Sequence, residues 1–256
     1  FQEPMTALNP LYTVGNQIAE VLELHEALDA RRARERAVEL LARTGIPDPA
    51  RRVDAFPHQL SVGQQQRVAL ARSLAKDPKL LLLDEPMGAL DKKLRSQMQL
   101  ELVSIIEKSG VTCVMVTHDQ EEAMTMATRI ALMDSGRIRQ VATPDEIYES
   151  PTSRFAAEFI GSVNMIEGKI EEDMKDYITI RTPQLPDVIY VGHGVSGYEG
   201  QEVAFGVRPE KVQISKEEPT QPHNKARGKI EDIAYFGSHS VFHVRLPTGF
   251  KIMANF

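Results

Sequence analysis

The stretch that decides the fold is Leu80-Leu81-Leu82-Leu83-Asp84-Glu85. Four consecutive apolar residues are typical of a central strand in a parallel sheet, which is buried on both faces. Ligands of open α/β sheets bind outside the carboxyl ends of the strands. We therefore predict that Asp84 holds Mg²⁺ through water and that Glu85 accepts a proton from an attacking water. The alternative is a pair of acids at an ordinary strand exit.

A second apolar run repeats this arrangement. Residues 111–116 predict another buried strand, and Thr117 and His118 follow it. A histidine at this position can orient a water and contact a phosphoryl oxygen. Taken alone, His118 is equally consistent with a polar residue that only satisfies the strand end. Two strands that end in acids and a histidine at one sheet edge make a purely structural explanation of both less plausible.

A helix start precedes the acidic pair. In Leu60-Ser61-Val62-Gly63-Gln64, Ser61 is a good N-cap for a helix that runs to residue 75. The N-terminus of a helix favours an anion, and Gly63 lets the backbone approach a phosphate closely. As a bare cap this motif would be unremarkable, and its position ahead of Asp84 and Glu85 makes it informative.

The rest of the chain divides into two kinds of pattern. Helical spacing predicts helices over residues 14–25, after Asp29 and after Asp91, and a hairpin joins residues 130–133 and 137–141. Alternating strands and helices indicate an α/β domain with a mostly parallel sheet. After about Gly161 short strands alone are predicted, as in a small barrel. They fall at residues 177–181, 188–191, 202–207, 212–214, 228–235, 240–246 and 251–254.

Composition sets limits on the function. The chain has 256 residues, a formal net charge of -6 and a pI near 5.7, whereas a general nucleic-acid binder is usually basic. No apolar stretch approaches the roughly 18 to 20 residues of a membrane span. The one cysteine, Cys113, rules out an internal disulfide and suits a reducing cytosol. We therefore expect a protein without nucleic-acid partners that reaches any membrane through other subunits.

The motifs together resemble those of ATP-binding-cassette ATPases. Leu60 to Gln64 is similar to their signature motif, Leu80 to Glu85 to their Walker B strand, and His118 to their switch histidine. Ala89-Leu90-Asp91 resembles the D-loop, and Gln2 resembles the glutamine of the Q-loop, which also contacts Mg²⁺. The order and spacing match over roughly residues 1–160.

This resemblance implies a fold and a set of ligands. We expect a partial P-loop NTPase domain over residues 1–160, with a helical subdomain over about 3–75. An all-β, OB-like regulatory domain of the TOBE type is expected over 161–256. Its resemblance rests on Phe159-Ile160-Gly161-Ser162-Val163-Asn164, which spans its start, and on Gly206-Val207-Arg208-Pro209-Glu210. The implied ligands are ATP and Mg²⁺, with Asp84 and Gln2 on the metal. Residues Leu60, Ser61, Val62, Gly63 and Gln64 are expected to bind the nucleotide of a second subunit.

The resemblance also suggests a cargo. From about residue 60 onward, and most clearly over 87–95 and 111–126, the chain is similar to polyamine (putrescine or spermidine) importers. Residues 3–10 and the helices up to Pro57 look more like dipeptide and oligopeptide importer ATPases, so the chain resembles a mosaic joined near residues 58–61. The implied partners are a second ATPase subunit in a homodimer, two membrane permeases and, indirectly, a solute-binding protein. The implied location is the cytoplasmic face of the bacterial inner membrane.

Two departures from the family pattern affect the predicted activity. No Gly-x-x-x-x-Gly-Lys-[Ser/Thr] phosphate loop is present, because isoleucine follows both Gly168-Lys169 and Gly228-Lys229. We expect this loop to lie before Phe1, in a longer protein of which this chain is a fragment at both ends. The second departure is Val62, where the family has glycine. If the position requires φ > 0, the strain is about 1–3 kcal/mol; otherwise the cost is steric, against the partner's nucleotide. The alternative functions are a dipeptide or oligopeptide importer ATPase, an inactive fragment that docks a partner or occupies half of a nucleotide sandwich, and a cassette ATPase without a role in transport.

Overall fold

The computed structural model describes residues 8–88, 90–192 and 197–256. The chain forms two compact units, Phe1–Ile130 and Ala131–Phe256. The domain boundary predicted between residues 160 and 161 lies inside the second unit and stays a prediction.

Helices dominate the first unit. They are α1 (Val14–Glu26), α2 (Ala30–Arg43), the single turn α3 (Pro49–Arg52), α4 (Val62–Leu74), α5 (Lys92–Ser109) and α6 (Gln120–Met126). Thr13, Asp29, Ser61, Asp91 and Asp119 cap α1, α2, α4, α5 and α6 with their side chains. The predicted helix starts after Asp29, Ser61 and Asp91 are therefore confirmed. Gly110 ends α5 with a φ of 68°, a left-handed conformation that glycine adopts without steric cost.

Two parallel strands complete this unit. Strand β1 (Leu80–Asp84) pairs with β2 (Thr112–Val116), in a register that places Leu80 beside Thr112 and Asp84 beside Val116. One continuous apolar core joins helices α1, α2, α4 and α5 to the inner face of β1, where Leu81 and Leu83 are buried. The sheet edge that carries Asp84 is thus fixed on a packed helical layer.

The prediction of a central strand buried on both faces is wrong for β1. Among the described residues β1 pairs with β2 alone, and Leu80 and Leu82 are 50% and 59% exposed. The physical reason is that α4 and α5 cover only one face of these strands. An unbroken apolar run predicts two buried faces only where both faces have a covering layer.

The second unit begins with a hairpin and two short helices. Strands β3 (Ile130–Asp134) and β4 (Arg137–Ala142) form the predicted hairpin. Helix α7 (Pro144–Glu149) starts at a capping box between Thr143 and Glu146, and α8 (Arg154–Phe159) follows.

The remaining strands of the second unit form two antiparallel sheets, and residues of both sheets contribute to one apolar cluster. The order is β7-β6-β5-β8 in one sheet and β11-β10-β9 in the other. The strands are β5 (Asn164–Asp173), β6 (Tyr177–Arg181), β7 (Ile189–Gly192), β8 (Glu202–Val207), β9 (Lys229–Tyr235), β10 (Ser240–Arg245) and β11 (Lys251–Asn255).

Two strand predictions in this unit need correction. Residues 212–214 do not form a strand, because a 3-10 turn over Pro209–Lys211 precedes them and the chain then leaves the ladder. The longest strand, β5, was not predicted, since its apolar residues are interrupted by Glu167 and Gly168. Gly168 is required there, as an added Cβ would lie 2.5 Å from the carbonyl oxygen of Arg181.

Candidate active site

The carboxyl ends of β1 and β2 meet at one edge, as the sequence predicts. Asp84 is paired with Val116, so the residues that follow them leave the sheet side by side. The backbone N–H of Glu85 donates to the carbonyl of Val116 at 2.8 Å and extends the pairing by one residue. Glu85 and His118 are therefore brought to the same place by the parallel register.

Glu85 has an unusual backbone conformation. Its φ is +44°, in the left-handed region that costs a residue other than glycine about 1–3 kcal/mol. The conformation is held on both sides, because the Glu85 carbonyl also accepts from the N–H of Gly88 at 3.2 Å. Strained residues of this kind concentrate at functional sites. No sequence pattern predicts this strain.

The side chains of Glu85 and His118 are in contact. Nδ1 of His118 lies 3.1 Å from Oε1 of Glu85, and the two side chains are 77% and 52% exposed. A carboxylate and an imidazole at this distance can share a proton, and the exposure leaves room for a substrate and a water beside them. This contact is the central geometric feature of the candidate site.

The loop that carries His118 is fixed by a buried carboxylate. Oγ1 of Thr117 donates to Oε2 of Glu122 at 2.7 Å, and the N–H of Asp119 donates to Oγ1 of Thr117 at 3.0 Å. Glu122 is only 3% exposed. His118 thus projects from a short segment whose neighbours on both sides are hydrogen-bonded.

Arg95 links this loop to the start of α5. Its Nη1 donates to Oδ2 of Asp119 at 2.9 Å, and its Nη2 donates to the carbonyl of Leu90 at 3.1 Å. Sequence reasoning did not single out Arg95, Thr117 or Glu122 as parts of the site. The available signal was position alone: Arg95 lies one helical turn after the cap Asp91, on the side of the helix that faces the site.

Asp91 and Ala89 were predicted to form the D-loop with Leu90. Oδ1 of Asp91 accepts from the N–H of Leu94 at 3.0 Å and caps α5. Ala89 lies outside the described residues. The local role of Asp91 is therefore that of a helix cap, and any role toward a second subunit stays a prediction.

The predicted metal site is described only in part. Asp84 lies half-buried at the end of β1, and Gln2 lies outside the described residues. In the part of the chain that the structure describes, no group of three or more His, Cys, Asp or Glu side chains could hold a metal ion. Magnesium in nucleotide sites needs only one or two protein carboxylates, because phosphates and waters supply the other ligands. A single strand-end carboxylate such as Asp84 fits that requirement.

The signature-like motif is a well-formed helix start. The hydroxyl of Ser61 accepts from the N–H of Gln64 at 3.3 Å, and Oε1 of Gln64 accepts from the N–H of Ser61 at 3.1 Å, which forms a capping box. Leu60 is buried and Ser61 is exposed. The motif thus presents the amino end of α4 to solvent.

The structure distinguishes the two explanations offered for Val62. Val62 is the first residue of α4 and is not among the described residues with positive φ. The predicted strain of a glycine-only conformation is therefore excluded at this position. Its side chain is half-buried and packs against the core of the first unit. Any cost of Val62 must arise from contacts with another molecule.

Gly63 is not required by packing within the described chain. An added Cβ would lie 3.6 Å from Sδ of Met98 and 3.9 Å from Leu94, which are ordinary contact distances. Its φ is not in the left-handed region either. Gly63 is also buried, so the direction in which a side chain would extend is toward α5 of the same chain.

Two family models and a solved structure match parts of the chain. The family model described as "ABC transporter" matches residues 1–88, and the one described as "TOBE domain" matches residues 205–256. A solved structure of cbiO1 from Clostridium perfringens, part of the ABC transporter complex cbiONQ, has a TM-score of 0.52 and 31% identity. The match covers 59% of this chain and 58% of that one. The first and last parts of the chain thus match two different family models.

Curated relatives establish the family. The spermidine/putrescine import ATP-binding protein PotA of Nitrosospira multiformis is 38% identical over 253 residues, which are 97% of this chain and 67% of that protein. The chain belongs to the ATP-binding proteins of ABC transporters. The putrescine transport ATP-binding protein PotG of Escherichia coli is 52% identical over 248 residues, 97% of this chain and 65% of that protein. Its alignment runs across the join predicted near residues 58–61, and the mosaic origin stays a prediction.

The chain spans about half to two thirds of the length of the curated relatives it matches. Among the described residues, none of the helices has the length and apolar character to cross a membrane.

Proposed function

We propose that this chain supplies the water-activating part of the ATP-hydrolysing subunit of a polyamine importer. The observation that carries the proposal is the contact between Glu85 and His118 at the carboxyl edge of β1 and β2. Its support from relatives lies in their names, which describe putrescine transport and spermidine/putrescine import ATP-binding proteins.

The proposed reaction is hydrolysis of the bond between the β and γ phosphates of ATP. The Glu85 carboxylate accepts a proton from a water as the oxygen of that water bonds to the γ phosphorus. The bond from that phosphorus to the bridging oxygen breaks, and ADP and inorganic phosphate leave. His118, 3.1 Å from Glu85, orients the water and donates to a γ-phosphate oxygen. General-base help of this kind is worth about 10²–10⁴ in rate.

Magnesium would be held by Asp84, with phosphate oxygens and waters as its other ligands. When bound, the ion neutralises charge that develops on the phosphates. Gln2 is proposed as a further contact to the ion. Asp84 would thus provide one carboxylate ligand, which is held in position at the end of β1.

The signature-like motif is proposed to act on the nucleotide of a second subunit. Ser61 is exposed at the amino end of α4, where helix geometry favours an anion. Gly63, which the resemblance also assigns to this contact, is buried in its own chain, so the exposed Ser61 carries this part of the proposal. In a head-to-tail homodimer, Leu60 to Gln64 of one subunit would cover the ATP held by the other. The Val62 side chain is half-buried against the core of its own subunit. Its exposed part would reduce the space available to that ATP.

The proposal includes the partners of an importer. Two membrane permeases would dock on the helical part of the first unit, and a solute-binding protein would deliver the polyamine. This assembly would place the subunit at the cytoplasmic face of the inner membrane. The second unit, part of which matches a TOBE domain, would have a regulatory role.

Uptake measurements test the cargo. The host is a bacterial strain without its own polyamine-import ATPase, supplied with this protein carrying a phosphate-binding loop upstream of Phe1. We expect uptake of labelled putrescine and its loss in Glu85→Gln, while the exposed helix variant Glu107→Gln keeps it. Uptake of a labelled dipeptide instead would indicate that the protein is part of a peptide importer. Putrescine uptake that Glu85→Gln leaves unchanged would contradict the assigned role of Glu85.

The second candidate is a docking fragment without catalysis. It is favoured by the absence of a phosphate loop in the 256 residues. Isothermal titration of the chain with Mg-ATP separates binding by this segment from binding by a longer protein. We expect weak binding, because the lysine and backbone cradle for the phosphates are not in this sequence. Micromolar affinity would contradict that expectation.

A further inference from the structure

A buried polar contact joins the signature helix to the loop that carries the proposed general base. Gln66 lies in the second turn of α4 and is 6% exposed. Its Nε2 donates to the carbonyl of Pro86 at 2.9 Å. Pro86 follows Glu85 directly, so this bond holds the chain immediately after the proposed base.

Arg67, the next residue, bonds α4 to two other parts of the first unit. Nη1 of Arg67 donates to the carbonyl of Gly45 at 2.6 Å, and its Nη2 pairs with the carboxylate of Glu101 on α5. Gln66 and Arg67 therefore connect one helix to the Glu85 loop, to α5 and to the end of α2. These contacts all lie within the first unit.

Two atoms of this network are buried without a partner among the described residues. They are Oε1 of Gln66, an acceptor, and Nε of Arg67, a donor. A buried polar atom left without a hydrogen bond costs about 1–3 kcal/mol. Such atoms in native proteins usually bond to ordered water.

Both residues line the same small pocket, whose other lining residues include Leu70, Leu83, Met98 and Leu102. Oε1 of Gln66 and Nε of Arg67 themselves have almost no accessible surface. The two atoms are therefore enclosed where α4 packs against β1 and α5, out of reach of a water molecule.

We propose that Gln66 is a positioning residue for the Glu85 loop. Its buried amide holds the carbonyl of Pro86, the residue directly after Glu85. The amino end of α4, which faces the second subunit in the proposed function, is thereby connected to this subunit's own base. The role of Glu85 as base rests on the proposed function; the Gln66–Pro86 connection does not.

Amide hydrogen exchange on the 256-residue chain tests the positioning role. Gln66→Met keeps the side-chain volume and removes the bond to Pro86, so the amide of Gly88, which bonds to the Glu85 carbonyl, should exchange about fivefold faster or more. The matched control is Gln65→Met, because Nε2 of Gln65 donates to the carbonyls of Pro57 and Leu60 instead. An unchanged Gly88 rate in Gln66→Met, or the same increase in Gln65→Met, overturns the role.

Steady-state kinetics separate this inference from the proposed function. In the protein with a phosphate loop upstream, Gln66→Met should lower kcat for ATP hydrolysis while KM for ATP changes less than about twofold, since Gln66 does not contact the substrate. An equal loss in kcat with Gln65→Met would show a merely structural effect and overturn the positioning role. If Glu85→Gln has no effect on hydrolysis, the proposed function fails, whereas the exchange result for Gly88 stands independently.

Discussion

The two faces of the β1–β2 sheet are built from similar residues and differ in what covers them. Leu81 and Leu83 are 4% and 3% exposed beneath the helices, whereas Leu80 and Leu82 on the opposite face are 50% and 59% exposed. Strand β2 repeats the contrast, because Cys113 and Met115 pack against the core while Val114 and Val116 are exposed. Residue type therefore does not set burial here; the helical layer does.

This contrast separates stability from chemistry. The covered face connects β1 to α4 and α5, and the buried contact between Gln66 and Pro86 lies on the same side. The proposed reacting groups, Glu85 and His118, lie beyond the ends of the strands with exposed side chains. A rigid covered layer thus supports groups that remain accessible to a nucleotide.

The largest expected effect compares the two faces directly. Leu83→Ala should lower the free energy of unfolding of the chain by about 2–5 kcal/mol, because it leaves a cavity in a packed core. Leu82→Ala should cost less than about 1 kcal/mol, since most of that side chain is already in contact with water. Urea denaturation followed by circular dichroism measures both. Equal losses for the two variants would mean that the outer face is covered in solution.

A smaller effect is expected from the helix that provides the cover. Ser61→Ala removes the side-chain cap of α4 and should destabilise the chain by about 1 kcal/mol. Ser61→Asp, which keeps a capping oxygen, is the matched control and should retain most of the stability in the same urea titration. Loss of stability in both variants would show that the cap is not the cause.

The smallest expected effect concerns access to the strands and not their stability. Burial raises the pKa of the Cys113 thiol, so less of the reactive thiolate is present at neutral pH. Alkylation of Cys113 by iodoacetamide in the folded chain should be at least about tenfold slower than in urea.

A variant that carries its cysteine at the neighbouring position provides the comparison for this measurement. In a Cys113→Ser background, Val114→Cys places the thiol on the exposed face, and its alkylation should approach the rate found in urea. Mass spectrometry follows both reactions. Similar protection of the two positions would contradict the difference between the faces.

The sequence was sufficient for the elements whose signals are local. Ser61, Asp91 and Asp29 were recognised as caps because a capping side chain has a fixed spacing to its helix. The meeting of Glu85 and His118 was predicted from the rule that parallel strands end at a common edge. The caps depend on short-range geometry, and the meeting of the two strand ends follows from a general rule for parallel sheets.

Other features depend on contacts that a sequence does not record. The exposed face of β1 follows from how many layers pack on it, and the left-handed Glu85 from bonds to Val116 and Gly88. Val62 was expected either to be strained or to act by its size, and only the backbone of α4 excluded the first. Gln66 and Arg95 acquire their roles from partners far away in the chain, Pro86 and Asp119.

The most direct test of the account is the rate of ATP hydrolysis by purified protein that carries a phosphate-binding loop upstream of Phe1. In Glu85→Gln we expect the rate to fall by about 10²–10⁴, because an amide cannot accept the proton of the attacking water. Binding of Mg-ATP should persist in this variant. A hydrolysis rate that remains at the wild-type value would contradict the assignment of Glu85 as the general base and, with it, the proposed site.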